Sequence, residues 1–354
     1  MLSDRLAALL SRHDIHYGWV MVAVTCLTAL VSAGAVGAPG VFIVPLQQEF
    51  GWSPAEISSA LSIRIILFGL MAPFAAALMN RYGLRNVALA GQLLIGSSLI
   101  ASITMTQVWQ LIALWGVAVG IGTGLTALVL GATVAARWFS ERRGLVVGIL
   151  TASVATGQLL FLPVLASLTE RFGWRIALLL LCAALAVAAC AVLLLMRDRP
   201  GDLGLRAYGE PGIGPPAAPP QQQGAITRAA LSALRDASHK PVFWILFATF
   251  FICGASTNGL IQTHLIPLCA DFGVPEVRAA GLLALMGIFD FVGTVASGWL
   301  SDRYDNRWLL FWYYGLRGLS LLFLPYSDFT FYGLSLFAVS TGWTGSPPCR
   351  RRSG

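Results

Sequence analysis

The sequence predicts an all-α protein that crosses a membrane many times, and three observations predict it. The 354 residues are 57% hydrophobic and only 11% charged, whereas soluble domains carry roughly a quarter charged residues. The apolar residues fall in blocks of about 20, the length that crosses a bilayer core, and not in the short amphipathic periods of soluble helices. The breaks between blocks are short and carry turn or charge signals, such as Gly51-Trp52-Ser53-Pro54, Asn80 to Arg85 and Asp302 to Arg307. A segment in lipid must satisfy its own backbone hydrogen bonds, so these blocks are helices. A barrel would need short alternating strands, which the pattern lacks.

Ten apolar segments follow one another, at 17–46, 55–79, 86–106, 109–136, 143–168, 174–196, 242–268, 279–300, 308–326 and 329–339. Orientation follows from the basic residues. With a cytoplasmic N-terminus, the inner side holds Arg5, Arg12, Arg81, Arg85, Arg137, Arg142, Arg143, Arg197, Arg199, Arg206, Arg228, Arg235, Lys240, Arg303 and Arg307. The outer loops hold Arg171, Arg175 and Arg278. The positive-inside rule chooses this orientation. The net charge of +7 is thereby a matter of topology, and no nucleic-acid partner is expected. Residues 1–16 lack an apolar run long enough for a cleaved signal, so the first long segment is expected to stay as an anchor.

The expected organisation is a cytoplasmic tail at 1–16, a six-helix bundle at 17–196, a flexible cytoplasmic linker at 197–241, an incomplete second bundle of about four helices at 242–339, and an aberrant tail at 340–354. The linker is the one long loop, and its Pro211 to Gly224 portion is too rich in Pro, Gly, Ala and Gln to bury a core. The two bundles read as repeats. A shift of 222 residues lays Pro45 on Pro267, Phe50-Gly51 on Phe272-Gly273, Arg81-Tyr82 on Arg303-Tyr304 and Arg85 on Arg307. Parallel repeats of this kind are one plan for a transporter. After Val339 the chain turns to Ser, Pro347-Pro348 and Arg350-Arg351-Arg352, which cannot complete a membrane helix. A truncated or frameshifted end is expected.

The loop Gly298-Trp-Leu-Ser-Asp302-Arg303-Tyr-Asp-Asn-Arg307 resembles the major facilitator loop motif G-x-x-x-D-R-x-G-R-R. Its repeat, Ala76-Ala-Leu-Met-Asn80-Arg81-Tyr-Gly83-Leu-Arg85, departs from the motif with Ala76 for Gly and Asn80 for Asp. The resemblance implies the major facilitator fold, with Asn80, Arg81, Gly83, Arg85, Asp302, Arg303 and Arg307 in gating loops. Phe139-Ser-Glu-Arg142-Arg143-Gly-Leu145, His16-Tyr17-Gly18-Trp19 and Phe172-Gly173-Trp174-Arg175 look like the corresponding stretches of monocarboxylate porters and their oxalate/formate-antiporter relatives. That narrower likeness implies a small organic anion as cargo.

Ionisable groups at membrane depth are costly and so mark candidate sites. Asp290 lies mid-segment and reads either as a proton carrier or as a structural partner of an Arg; His264 is a second proton-coupling candidate, or a satisfied core histidine. Arg317 suits a carboxylate fork, with pairing to Asp290 or snorkelling as its structural alternatives; Arg64 reads either as facing the cavity to attract an anion or as snorkelling outward. Asn258 and Gln262, four residues apart, share a helix face and can hydrogen-bond a cargo. Gly116, Gly120 and Gly124, also four apart, read as a seam of close helix packing. The Cys residues show no metal-ligand spacing, so no metal is expected. No phosphate-binding loop of the Walker type occurs, and no cofactor is expected.

The sequence thus reads as a secondary transporter of a small solute, such as a monocarboxylate, in the plasma or inner membrane, and not as an enzyme. Its expected partners are that solute and the lipid bilayer. The alternative is a truncated, non-transporting membrane protein, either a defective product or a partner or sensor subunit.

Overall fold

The computed structural model describes residues 2–13, 15–126, 128–210, 226–254 and 291–305, together with 308–309, 311–312, 315–316 and 318–319. Among these, helices dominate. A short α1 (Leu2–Ser11) precedes α2 (Gly18–Phe50), α3 (Pro54–Tyr82) and α4 (Leu84–Ser102). A broken fourth crossing, Val108–Trp138, is built from α5 (Val108–Leu111), a π-helical stretch (Ile112–Ala118), α6 (Val119–Thr126) and α7 (Leu128–Trp138). Then come α8 (Arg143–Phe172), α9 (Trp174–Leu195), α10 (Ile226–Ser238) and α11 (Pro241–Gly254). Residues 291–301 are also helical. Five helices are long and apolar enough to cross a membrane: Gly18–Pro39, Ala55–Tyr82, Leu84–Ser102, Val108–Trp138 and Trp174–Leu195.

The helix starts and stops follow local chemistry. At the start of α3, the Ser53 hydroxyl accepts from the Glu56 N–H at 3.3 Å and Glu56 accepts from the Ser53 N–H at 2.8 Å. With Pro54 at the first helical position, this is a capping box. Gly83 and Gly173 each join two long helices through one residue, with φ of +89° and +85°. A side chain at either position would be strained. At Gly83 it would also strike the Asp198 carboxylate.

The chain divides into two compact units, one of Met1–Arg143 with Ser153–Leu231, the other of Gly144–Ala152 with Ser232–Gly354. In the first, α2 presents Val31, Ala35, Ala38, Phe42 and Leu46 to the core at helical spacing, against Ile57 and Ala60 of α3 and Trp115 of the π-helical stretch. The glycine seam expected from the sequence is present. Cβ atoms built on Gly116, Gly120 and Gly124 would meet Ala60 O, the Arg64 backbone and Phe68 O, each at 3.1 Å. Two rows at four-residue spacing therefore run along α3 and α6 in backbone contact. In the second unit, a Cβ on Gly148 of α8 would lie 2.9 Å from Thr294 O and 3.1 Å from the Gly298 Cα.

Within the segment expected to be a flexible linker, 197–241, the described residues are structured. Pro200–Leu203 form a 3-10 turn. Tyr208 N–H donates to Trp138 O at 2.8 Å, and Ser140 N–H donates to Tyr208 O at 2.8 Å. The backbone of Tyr208 thus finds partners at the end of α7 and in the loop after it, which a composition-based reading does not foresee.

Substitution separates seam glycines from open ones. Gly124→Ala would bring a Cβ to 2.7 Å from the Met71 Cβ, an overpacking worth about 1–3 kcal/mol, and its thermal midpoint in detergent falls. Gly96 has nothing within 4 Å of a Cβ, so Gly96→Ala raises the midpoint through the roughly 0.5–1 kcal/mol helix preference of Ala.

Candidate functional site

Arg64 is the buried cation of the first unit. It lies on α3 ten residues after Pro54, about three turns along the helix, and is only 7% exposed. Its backbone lies against Gly120. Its Nη1 is buried and has no hydrogen-bond partner among the described residues. The backbone of α3 at Arg64 thus sits on the glycine seam, and its side chain carries a buried guanidinium N–H with no partner among the described residues. Ordinarily a buried polar group finds a partner, and a cation more so. Elsewhere in this unit α2, α4 and α6 are tied by neutral groups: the Gln92 amide donates to Thr28 O and Ser32 Oγ at 3.4 Å, and the Ser32 and Thr126 hydroxyls lie 3.0 Å apart.

Of the other cargo and proton-coupling candidates, Asn258, Gln262, His264, Asp290 and Arg317 lie outside the described residues, as does Arg307.

The loop residues resolve into clasps on helix ends. In the second unit, Asp302 accepts from the Gly144 N–H at 2.8 Å and from the Leu145 N–H at 2.9 Å, capping the first turn of α8. Helix N-termini leave such N–H groups unpaired and favour negative charge. The spacing of the motif has a physical reason. Gly298 lets the 291–301 helix approach Gly144 and Gly148, and Asp302, one turn on, meets the exposed N–H groups. Arg303 lies over the Trp299 ring at 3.9 Å.

In the first unit the repeat loop uses other partners. Asn80, which replaces the motif's Asp, accepts from Arg137 Nη2 at 2.8 Å, and Arg137 also donates to Met79 O at 3.2 Å. The N-terminus of α4 is capped by Asp198, which accepts from the Arg85 N–H at 2.9 Å. Arg81 lies over the Tyr82 ring at 5.5 Å.

The remaining sequence motifs meet in two places. His16-Tyr17-Gly18-Trp19 and Phe139 converge with Tyr208: Trp19 and Phe139 stack edge to face at 5.4 Å, and Phe139 lies 5.7 Å from Tyr208. Gly18 is needed there, because a Cβ would touch the His16 and Phe139 rings at 2.9 and 3.0 Å. Tyr17 OH donates to Leu195 O at 2.8 Å. At Trp174-Arg175, Glu49 accepts from Trp174 Nε1 at 2.6 Å and from Arg175 Nη1 and Nη2 at 3.0 and 2.6 Å.

A relation that the sequence reading missed links these two ends. Arg81-Tyr82-Gly83-Leu84-Arg85 recurs 90 residues later as Arg171-Phe172-Gly173-Trp174-Arg175. Arg85 Nη2 donates to Leu193 O at 2.6 Å, and Arg175 Nε donates to Ile103 O at 3.2 Å. Donors and acceptors are both 90 residues apart, so α4 and α9 form an antiparallel pair in which each start grips the other's end. A self-comparison at a shift of 90 would have found it. Asp198, Glu49, Arg137 and Tyr208 had no motif to mark them.

Comparison with known proteins agrees with the helices and loops. The pattern of the Major Facilitator Superfamily matches residues 25–350. The chain belongs to the major facilitator superfamily. It is a multi-pass membrane transporter of that family and not an enzyme. It is 28% identical over 348 residues to monocarboxylate transporter 12-B of Danio rerio, covering 93% of this chain and 72% of that protein. It is 30% identical over 336 residues to monocarboxylate transporter 13 of Bos taurus, covering 94% and 72%. Among solved structures, the proton:xylose symporter XylE bound to 6-bromo-6-deoxy-D-glucose is similar with a TM-score of 0.61 at 15% identity, over 93% of this chain and 80% of that one. At that identity the likeness concerns the major facilitator fold alone.

Two clasps give direct tests. Asp302→Ala removes the cap from α8, a loss of about 1 kcal/mol or more; hydrogen exchange at Gly144 and Leu145 accelerates, with Asp302→Asn intermediate. The Glu49 carboxyl is held below the usual carboxylate range by the Arg175 hydrogen bonds first and Trp174 second. Its contribution is therefore present above the unfolded value near pH ~4.3 and is lost as pH falls through the lowered folded value. Both side chains are about 40% exposed, so the gain is no more than about 1 kcal/mol. Glu49→Gln lowers the thermal midpoint at neutral pH and matches the parent chain in acid.

Proposed function

We propose that this major facilitator chain is a secondary active transporter of a small organic anion, such as a monocarboxylate, working by alternating access with its N-terminus in the cytoplasm. The observation that carries the anion reading is Arg64, buried to 7% exposure with an Nη1 that has no hydrogen-bond partner among the described residues. A carboxylate is the ligand that offers this guanidinium two acceptors at once. The names of the relatives, monocarboxylate transporters 12-B and 13, support the same cargo class. Arg317, Asn258 and Gln262 complete the proposed cargo contacts, while Asp290 and His264 are the proposed proton carriers. Asn80, Arg81, Gly83, Arg85, Asp302, Arg303 and Arg307 are the proposed gating loops.

The test is uptake into proteoliposomes loaded with a pH-sensitive dye. Radiolabelled monocarboxylate is expected to enter, with inward movement of protons under an acid-outside gradient. Arg64→Gln weakens apparent affinity about ten- to a hundredfold, the worth of a charge-assisted hydrogen bond, with an unchanged thermal midpoint; Arg64→Lys restores part of it. Equal affinity in Arg64→Gln removes Arg64 from the cargo site. Uptake of a neutral solute without carboxylates overturns the cargo class. Asp290→Asn abolishes the pH dependence of uptake and leaves carboxylate exchange.

A further inference from the structure

Helix α10 has a composition that neither a membrane crossing nor a loop explains. Ile226, Ala230, Ala233, Leu234 and Ala237 recur at helical spacing along one side of its register. Arg228 and Arg235, seven residues apart, fall two turns apart on the opposite side. Leu234, on the apolar side, is 46% exposed, so that side is left uncovered there; Leu231, 57% exposed, falls at the border with the basic side. The helix runs almost directly into α11, which begins at Pro241. Trp244 Nε1 donates back to Ser238 O at 2.8 Å, and His239 Nδ1 pairs with Arg235 O at 2.6 Å. The turn between the two helices is thereby pinned. Val242, Trp244, Ile245, Phe247 and Phe251 of α11 are all exposed apolar residues, as suits a helix facing lipid. Trp at such a junction is characteristic of the membrane interface.

We infer that α10 is an interfacial anchor that lies on the bilayer with its Leu234 side toward the acyl boundary and binds anionic phospholipid headgroups through Arg228, Arg235 and Lys240. An amphipathic helix with a basic polar face and low overall hydrophobicity has the physical character of such an anchor. Its apolar side is mostly Ala, too weak to hold by burial alone. The basic residues and the tether to α11 supply the rest. Charge complementarity selects anionic lipid over neutral lipid, and Asp236 subtracts from it by one charge. The proposed cytoplasmic N-terminus decides only which leaflet the helix meets; lipid dependence is read in either case.

The experiment uses the full chain in nanodiscs of phosphatidylcholine, alone or mixed with phosphatidylglycerol, and follows hydrogen exchange of the 226–240 amides. Anionic lipid is expected to slow exchange about 25-fold, since the three basic residues less Asp236 leave two charges and each near such a surface contributes roughly fivefold. Added salt reverses the slowing in the unsubstituted chain, because surface attraction is screened. The triple substitution Arg228→Gln, Arg235→Gln and Lys240→Gln abolishes it, while exchange in α4 and α9 stays unchanged. Equal protection in both lipids, insensitive to salt, overturns the proposal and assigns the face to contacts within the chain. Protection that rises with protein concentration in either lipid overturns it in favour of a second copy.

Discussion

The ends of the helices are the constraint on which the rest of this molecule depends. A membrane helix satisfies its own backbone along its length but leaves its first N–H and last C=O groups unpaired. Here side chains from other segments fill those positions. Asp302 takes the N–H groups of Gly144 and Leu145, and Asp198 takes that of Arg85. Arg85, Arg175 and Tyr17 donate to the carbonyls of Leu193, Ile103 and Leu195. The sequence motifs that mark the loops are therefore clasps, each joining a helix end to a group remote in sequence. At α3 a loop residue secures the helix start through the Ser53–Glu56 capping box, whereas at these other ends the clasps do so.

The second constraint is close approach. Gly116, Gly120 and Gly124 face Ala60, Arg64 and Phe68, and side chains are excluded along that line. Dispersion between backbones holds such a seam, and the polar groups it presents, such as Ala60 O and Phe68 O, are carbonyls of the helix ladder. Arg64 is consequently both well buried and incompletely bonded. At the Gly116 end of the seam, the π-helical stretch Ile112–Ala118 breaks the regular ladder, a feature frequent at functional sites.

Much of this was legible in the sequence. Hydropathy is local, so the helices and their breaks could be placed. The four-residue glycine spacing carries its own geometry, so the seam could be foreseen, and Arg64 stood out as a charge in an apolar run. Partners were not legible, because nothing local marks them. Asp198 and Tyr208 lie in a stretch whose Pro- and Gly-rich continuation suggested only flexibility, while Glu49 reads as an ordinary surface acid. The roles expected of Asn80 and Asp302 also diverge for a physical reason. The amide of Asn80 accepts from the Arg137 side chain, whereas the carboxylate of Asp302 accepts two backbone N–H groups. One loop pattern thus serves two different kinds of bond.

The 90-residue register bears on which parts of the first unit can yield. Separating α4 from α9 requires breaking a charge-assisted hydrogen bond at each end, Arg85 to Leu193 and Arg175 to Ile103, and unmaking the apolar packing that includes Ile95, Leu99, Leu178 and Leu181. The charged donors would lose bonds of the stronger class. Sliding α3 along α6 breaks no such bond at the seam, since glycine against backbone offers only weak, non-directional contact there. The two pairs therefore differ in kind: α4–α9 is tied at both ends, while the α3–α6 seam is held by shape. Of the two, the seam on which Arg64 sits is the contact whose displacement costs the fewer directional bonds.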